Sequence, residues 1–356
     1  MKGAAILDEL VNTFDRFLAI PTTAAEAMAV WVCFAHTFQA HAISPRLCLL
    51  SPVPECGKTT AMTLLGRLCP NSLLLSNISP AAVYRFIEEL RQTRQPTLLL
   101  DEGGTYLESN EAFRGILNSG HTKAGATVMR AGGSDQNFKV ELFSTWAPIA
   151  IAKVGGLHSE WASRSIIIQM RRKRRDEHKE RLRDRDIAEL EILEKRVASW
   201  AQQIISQLRD ADPDIPDELT NRAADNWRPL FAIADLAGGD WPQRARRTAV
   251  TLVQDDELSA PELLLAAISA AFANAKSDRL FSETLCRMLS AGDHDHPKGI
   301  GPTQLSRQLK PFGIQPRSIR VQDQVRRGYM LDWFEDAFAR YLRTGPRAER
   351  YAATKQ

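Results

Sequence analysis

Residues 46–68 read RLCLLSPVPECGKTTAMTLLGRL. Leu47 to Leu50 is a short apolar run that predicts a buried strand, and from about Lys58 the apolar spacing is that of an amphipathic helix. The segment between them, PVPECGKT (52–59), follows the phosphate-loop pattern GxxxxGK[ST]. Gly57, Lys58 and Thr59 match it, and Pro52 stands where the first glycine belongs. Proline can occupy a turn with φ about −65° but donates no N–H. The amides of residues 55 to 60 can still converge on one anion at the positive end of the helix dipole. On this reading ATP is cradled by Pro54, Glu55, Cys56, Gly57, Lys58, Thr59 and Thr60. The Lys58 ammonium neutralises the β- and γ-phosphates, and the Thr59 hydroxyl sits on Mg2+.

A second element supports the first. PTLLLDE (96–102) is an apolar strand ending in two acids. Asp101 is placed to hold the Mg2+, and Glu102 to orient and polarise an attacking water. One acid at a strand end means little, since strands commonly end in polar loops; two acids beyond a phosphate loop are more specific. A water-polarising glutamate points to hydrolysis and not to transfer onto a hydroxyl. The runs SLLLS (72–76) and SPAAVYRFIEEL (79–90) add a strand and a helix between the two motifs. Strands alternating with helices predict an α/β fold with a parallel sheet.

The chain has 356 residues, 44% hydrophobic and 25% charged, with a formal net charge of +3. These values exclude a disordered or fibrous chain, and any nucleic-acid contact must come from local clustering. The five cysteines show no CxxC spacing, which argues against a disulfide scaffold and a zinc site. His294 and His296, beside Asp293 and Asp295, have no third ligand-bearing element and read as a polar loop. Asp8, Glu9 and Asp15 interrupt the N-terminal apolar stretch, unlike a secretory signal. Glu26, His36, Gln39 and His41 interrupt the run 24–42, unlike a membrane span. A soluble cytoplasmic protein without a membrane segment is expected.

The patterning divides the chain into an N-terminal helical segment (1–45), an ATPase core (46–175), a helical lid (176–276) and a C-terminal unit (277–356). Within the core, 126–146 reads as a hairpin turning at Gly132-Gly133-Ser134-Asp135, and PIAIAKV (148–154) and SIIIQM (165–170) as further strands. Residues 171–196 hold 11 basic and 8 acidic side chains and read as a solvated helix face laced with i,i+4 pairs. The leading RRKRR (171–175) is also suited to phosphate. Segment 297–356 has 12 basic against 5 acidic residues, a local charge of +7.

Several motif runs together resemble the helicase-like domain-of-unknown-function family 3631, found in phage, plasmid and bacterial proteins, often behind primase-polymerase modules. They are SPVPECGKTTAMTLL (51–65), PTLLLDEGGTYL (96–107), FRGILNSGHTKAGATVMR (113–130), FSTWAPIAIAKVG (143–155), SRSIIIQMRRK (163–173), NRAADNWRPLFAIADLAGGDWPQRAR (221–246), LSRQLKPFGIQPRSIR (305–320) and FEDAFARYL (334–342). More distantly the layout is similar to P-loop NTPases of the AAA+ primase-helicase type. That resemblance implies a hairpin reaching single-stranded DNA in a central pore, with Lys123, Arg130 and Lys139 on phosphates. It places Lys153 where relatives commonly carry a γ-phosphate-sensing Asn. It makes Arg164 an arginine finger completing a neighbour's site, hence a homo-oligomeric ring. It offers Arg222 or Arg228 as the second sensor, and a C-terminal winged helix with Arg317, Arg320, Arg326 and Arg327 on its recognition helix and wing. The implied function is ATP hydrolysis coupled to translocation on, or remodelling of, single- or double-stranded DNA, in replication of phage- or plasmid-type elements. A primase or polymerase partner would act in trans. The alternative is a nucleotide-gated DNA-binding or scaffold protein with weak turnover, in phage defence for example.

Overall fold

The computed structural model describes residues 2–76, 78–91, 94–101, 110–132, 139–255, 260–290 and 300–342. The chain divides into two compact units, Met1–Asp256 and Glu257–Gln356.

The first unit opens with helices α1 (Gly3–Phe17) and α2 (Thr22–Thr37). Then come strand β1 (Arg46–Ser51), helix α3 (Lys58–Leu68), β2 (Ser72–Leu75), α4 (Pro80–Leu90) and β3 (Thr97–Leu100). Helix α5 (Glu111–Ser119) leads to the hairpin of β4 (Thr127–Gly132) and β5 (Lys139–Ser144), and the sheet resumes with β6 (Ile149–Val154), a short α6 (Ser159–Ala162) and β7 (Ser165–Gln169). Helices α7 (Asp184–Leu208), α8 (Asn221–Ala237) and α9 (Trp241–Asp255) finish the unit.

Five strands form one parallel sheet in the order β2-β3-β6-β1-β7. All six residues of β1 are buried, as expected of a central strand covered on both faces. Side chains alternate across it. Leu47 and Leu49 join Ala150, Ala152, Ile166 and Ile168 against α1–α3 and α7–α9. Cys48 and Leu50 join Leu98, Leu100, Ile149 and Ile151 against α4, α5 and Trp161 of α6. The result is an α/β fold of three layers.

This layering marks out a candidate crevice. The connection leaving β1 runs through α3 on one face, whereas those leaving β2, β3 and β6 run through α4, α5 and α6 on the other. Open α/β sheets bind ligands beyond the carboxyl ends of strands where neighbouring connections part to opposite faces. Here that point lies between β1 and β6.

Local chemistry sets the helix starts. Ser79 caps α4 through its hydroxyl, which accepts from the Ala82 amide at 3.3 Å, with Pro80 in the first helical position. Residues 171–183 are not helical, and α7 begins only at Asp184. Five successive cations would repel one another within little more than a turn. Instead Asp184 and Asp186 sit at the favourable end of the dipole, and Asp186 accepts from the Arg183 amide at 2.9 Å. Arg16 of α1 holds this entry through Glu180, Asp186 and Glu189. Helix α2 is buried nearly all round, and its Glu26 carboxylate accepts from Arg244 Nε at 2.9 Å and from the Thr248 hydroxyl.

The second unit contains α10 (Ala260–Ala275), β8 (Arg279–Phe281), α11 (Ser282–Ser290), α12 (Pro302–Leu309), β9 (Arg317–Val321), β10 (Gln324–Met330) and α13 (Glu335–Tyr341). Its sheet order is β8-β10-β9. Helix α10, read from sequence as the end of the lid, contributes Leu265, Ile268 and Phe272 to this unit's core. Where a recognition helix was expected to carry such arginines as Arg317 and Arg320, the chain forms strand β9. Buried Ile319 alternates with exposed Ser318 and Arg320, and Gln322 (φ 52°) turns the chain into antiparallel β10. Arg317, Arg320, Arg326 and Arg327 therefore all lie on one hairpin and none on a helix. Among the described residues no helix is long and apolar enough to cross a membrane.

Candidate phosphate-binding site

From the end of β1 the chain turns through residues 52–56 into α3. Two residues carry the turn in left-handed conformations, Glu55 (φ 64°) and Gly57 (φ 82°). A Cβ at Gly57 would meet nothing closer than 3.8 Å, so backbone conformation and not crowding favours glycine there. With the curvature at Glu55 and Gly57, proline is tolerated at position 52. No side chain caps α3, so its first-turn amides have no helical acceptor. The Lys58 side chain folds back over this end: Nζ donates to the Ser51 hydroxyl at 2.5 Å, and that hydroxyl donates to the Val53 carbonyl at 2.7 Å. Ser51, unnoticed in the motif, thus holds the lysine over the loop. Thr59 is exposed at the first turn of α3 and Cys56 is buried beneath the loop.

Asp101 directly follows β3, and its amide donates to the Leu75 carbonyl at 3.0 Å. Two strand spacings, about 10 Å, separate β3 from β1. Between them, at the end of β6, Lys153 is paired in register with Leu50, and its buried ammonium donates to the Gly156 carbonyl at 2.6 Å. Lys58, Thr59, Asp101 and Lys153 therefore gather at one end of the sheet. Glu102 lies outside the described residues.

The structure brings one unexpected residue to the loop. Arg172 Nη2 donates to the Pro54 carbonyl at 3.3 Å and to Glu55 Oε2 at 3.2 Å. The signal lay in RRKRR, which follows the strand beside β1.

Arg164 stands at the opposite end of the sheet. Its carbonyl accepts from the Arg46 amide at 3.0 Å at the start of β1, and its Nη1 donates to the Glu160 carbonyl at 2.6 Å. Arg222, at the start of α8, donates to the Ser163 hydroxyl at 2.8 Å and so lies beside Arg164, away from the loop. Arg228 pairs with Asp212. Among the described residues neither Arg164 nor Arg222 forms an ion pair. Behind them Asn226 joins the Ser163 carbonyl (3.1 Å) to His121 Nε2 (2.8 Å). Burial, with the positive charge of Arg46, Arg164 and Arg222, pushes the His121 ring down to about 4 against the pull of the Asn226 bond. Arg46 is buried; its guanidinium donates to Ser44, Ala147 and Leu117, and burial pushes its pKa down to about 9.

The β4–β5 hairpin lies against α4. Tyr84 and Phe143 rings meet at 4.8 Å, Arg130 lies over Tyr84, and Glu88 accepts from the Ser144 amide at 2.8 Å. Register puts Lys139 opposite Gly132 on the face that carries Arg130, whereas the outer face shows Met129, Val140 and Leu142 to solvent. Lys123 sits below the hairpin, its Nζ 3.5 Å from the Gln39 carbonyl. These three cations do not share one outward surface. In the second unit Arg317 lies over Trp333, and Arg326 over Phe281 and 3.7 Å from Glu283. Arg320 and Arg327 occupy the other side of that hairpin, where Arg279 donates to the Arg320 carbonyl and Arg327 to the Pro316 carbonyl.

A separate cleft of about 490 Å³ is lined by His36, Gln39, Asn71, Gln95 and Glu194. It opens at the amino ends of β2 and β3, far from the loop, and offers amides and a carboxylate instead of converging anion donors. The chemistry favours the loop.

Comparison with known proteins adds a partial match. A relative described as an uncharacterized 28.9 kDa protein in the xis 5′ region of Saccharopolyspora erythraea is 36% identical over 172 residues, 45% of this chain. The chain spans 64% of that relative's length. Two solved structures are remotely similar. An apo structure of the NrS-1 C-terminal region has a TM-score of 0.42 and 9% identity, covering 92% of this chain and 75% of that one. A Drosophila ORC structure bound to DNA has a TM-score of 0.25 and 12% identity, covering 98% of this chain and 91% of that one. Likenesses this remote carry no activity across. Residues 169–341 match the model of a family described as a protein of unknown function, DUF3631, so the match starts at the last residue of β7 and leaves the loop and Asp101 ahead of it.

Proposed function

We propose that this chain is a P-loop ATPase of AAA+ type that hydrolyses ATP with Mg2+ and couples hydrolysis to movement on, or remodelling of, DNA. One observation carries the reading: Lys58 is folded over an uncapped helix start at the sheet's switch point, with Asp101 ending a strand on the far side of the same crevice. The residues fit the ligand. First-turn amides and an ammonium suit a triphosphate, and the Thr59 hydroxyl and Asp101 carboxylate are hard oxygen ligands suited to Mg2+. Bound ATP would supply the phosphoanhydride. The chain's own part is to hold its charge at the Lys58 end and to keep Asp101 opposite. Glu102, next in sequence to Asp101, is the proposed water-orienting group.

Arg164 stands at the amino end of the sheet, out of reach of its own chain's loop. In this proposal it would serve a site on another copy, so the reading includes a homo-oligomer, in the form of a ring. Arg222, next to it, joins that role. The DNA part of the proposal rests on the exposed Arg320 and Arg327 of the C-terminal hairpin, through sequence-independent phosphate contacts. A primase or polymerase partner rests on the family resemblance alone. The test is ATP binding and phosphate release, with and without single-stranded DNA, for wild type and Lys58→Ala. Equal rates for the two proteins would remove the hydrolysis claim.

A second reading, nucleotide-gated DNA binding with weak turnover, is favoured by Lys153, whose ammonium is tied to its own turn where a sensor amide is usual. Tight ATP retention without phosphate release would select it.

A further inference from the structure

The proposed phosphate loop carries its own negative charge. Glu55 is the one acidic residue in 52–59, and it occupies a left-handed conformation that glycine ordinarily fills. A carboxylate there opposes the anion that the helix start attracts. Strand β7 neighbours β1, so the chain leaving β7 passes the loop. Met170 prolongs the pairing, its amide donating to the Leu50 carbonyl at 2.6 Å, and Arg172 then reaches back to the Pro54 carbonyl and the Glu55 carboxylate. Within the same basic run Arg174 is engaged with Asp176 and Glu177.

We infer that Arg172 is a positioning residue of the nucleotide site: it neutralises Glu55 and braces the middle of the loop through Pro54, so that an incoming triphosphate meets a cationic cradle. This rests on the nucleotide-binding reading and deepens it. The pair is exposed, 60% for Arg172 and 82% for Glu55, and exposed ion pairs contribute little to folding. Removing it therefore leaves the fold intact and changes the charge met by the ligand. A bare carboxylate on the loop repels a multiply charged phosphate even in a water-like dielectric, enough to weaken binding about tenfold.

The experiment is a titration of the full chain with a fluorescent ribose-labelled ATP analogue and Mg2+ at low salt. Wild type, Arg172→Ala, Glu55→Gln, the double variant and Lys58→Ala are compared. Arg172→Ala is expected to weaken binding about tenfold, the double variant to return within about twofold of wild type, and the Arg172→Ala penalty to shrink as salt rises. Wild-type affinity in Arg172→Ala, or a double variant as weak as Arg172→Ala, would overturn the inference. A wild type that binds no analogue overturns the nucleotide reading itself. Binding by wild type, lost in Lys58→Ala but unchanged in Arg172→Ala, removes only the role given to Arg172.

Discussion

Arginine 164 gives the sharpest prediction, because the sheet sets how far it lies from the loop. Its carbonyl is hydrogen-bonded to the Arg46 amide, at the first residue of β1. The loop begins after Ser51, the last residue of that strand. At about 3.3 Å per residue, the two ends are about 17 Å apart, and an extended arginine side chain covers less than half of that. Arg164 therefore could not reach a nucleotide held by its own chain's loop. If it stabilises transition-state charge, each active site takes its loop from one copy and its arginine from the next. Arg164→Ala should retain ATP binding and lose about a thousandfold or more in turnover, the range of arginine fingers. Lys58→Ala should lose binding as well. Mixed one to one and allowed to exchange subunits, the two inactive variants should recover activity. Half the loops keep Lys58 in Arg164→Ala subunits, and half of their neighbours bring an intact Arg164. The expected rate is about one quarter of wild type, measured as phosphate release at equal total protein. A mixture no faster than the sum of its components would refute the trans arrangement, and full turnover in Arg164→Ala alone would refute the role.

Three further predictions concern the fold. Glu26→Ala strands the Arg244 guanidinium and the Thr248 hydroxyl in the helical layer; because Arg244 keeps Asp8 at 2.7 Å, the loss should be near the low end for a broken buried pair, about 3 kcal/mol by urea unfolding, and under about 1 kcal/mol would contradict the burial argument. Gly120→Ala puts a Cβ 2.2 Å from the Thr145 carbonyl oxygen and 2.8 Å from Arg46 Nη2, so about 1–3 kcal/mol of overpacking should appear as a lowered Tm, and an unchanged Tm would show that this junction yields. His41 and His121 are both pushed from 6.5 to about 4, chiefly by burial. The unfolded chain therefore binds more protons than the folded one across that interval, so stability is complete above about pH 6.5 and falls as pH drops toward 4. His121→Gln should make that fall shallower; an identical slope would count against a neutral buried ring.

Much of the first unit was legible because its signals are local. Leu47 to Leu50, Leu98 to Leu100, Ile149 to Val154 and Ser165 to Gln169 are apolar runs of strand length, and all lie in the parallel sheet. The Ser79-Pro80 start and the hairpin across 127–144 were equally local. Strand order was not legible, since it depends on which helix crosses which face. Composition misled at 171–183, where a charge-rich run that suits i,i+4 pairing is not helical and instead makes contacts with α1, such as Lys179 to Asp15 at 2.8 Å. It misled again at 317–321. There a polar sequence hid a strand, because only one of its side chains, Ile319, is buried.

For the site, a parallel sheet makes one assignment readable in advance and leaves another closed. A residue that follows its strand lies at the carboxyl end, and one that precedes its strand lies at the amino end. Lys58, Asp101 and Arg172 follow strands and Lys153 stands near the carboxyl end of its own, so they share that end of the sheet; Arg46 begins its strand and Arg164 precedes its own, so both stand at the other end. Sequence order alone thus separates the residues that can gather around the loop from those at the far end of the sheet. Arg222 escapes this rule because it sits on a helix, and helix position depends on packing. Its own bond to the Ser163 hydroxyl, with that of Asn226 to the Ser163 carbonyl one turn along α8, sets it beside Arg164. If Arg222 were instead a sensor for its own loop, α8 would have to release both Asn226 bonds and travel the length of the sheet. Arg222→Ala should therefore behave like Arg164→Ala, complementing Lys58→Ala in mixtures. A defect in Arg222→Ala that no mixing relieves would mean that α8 makes that journey.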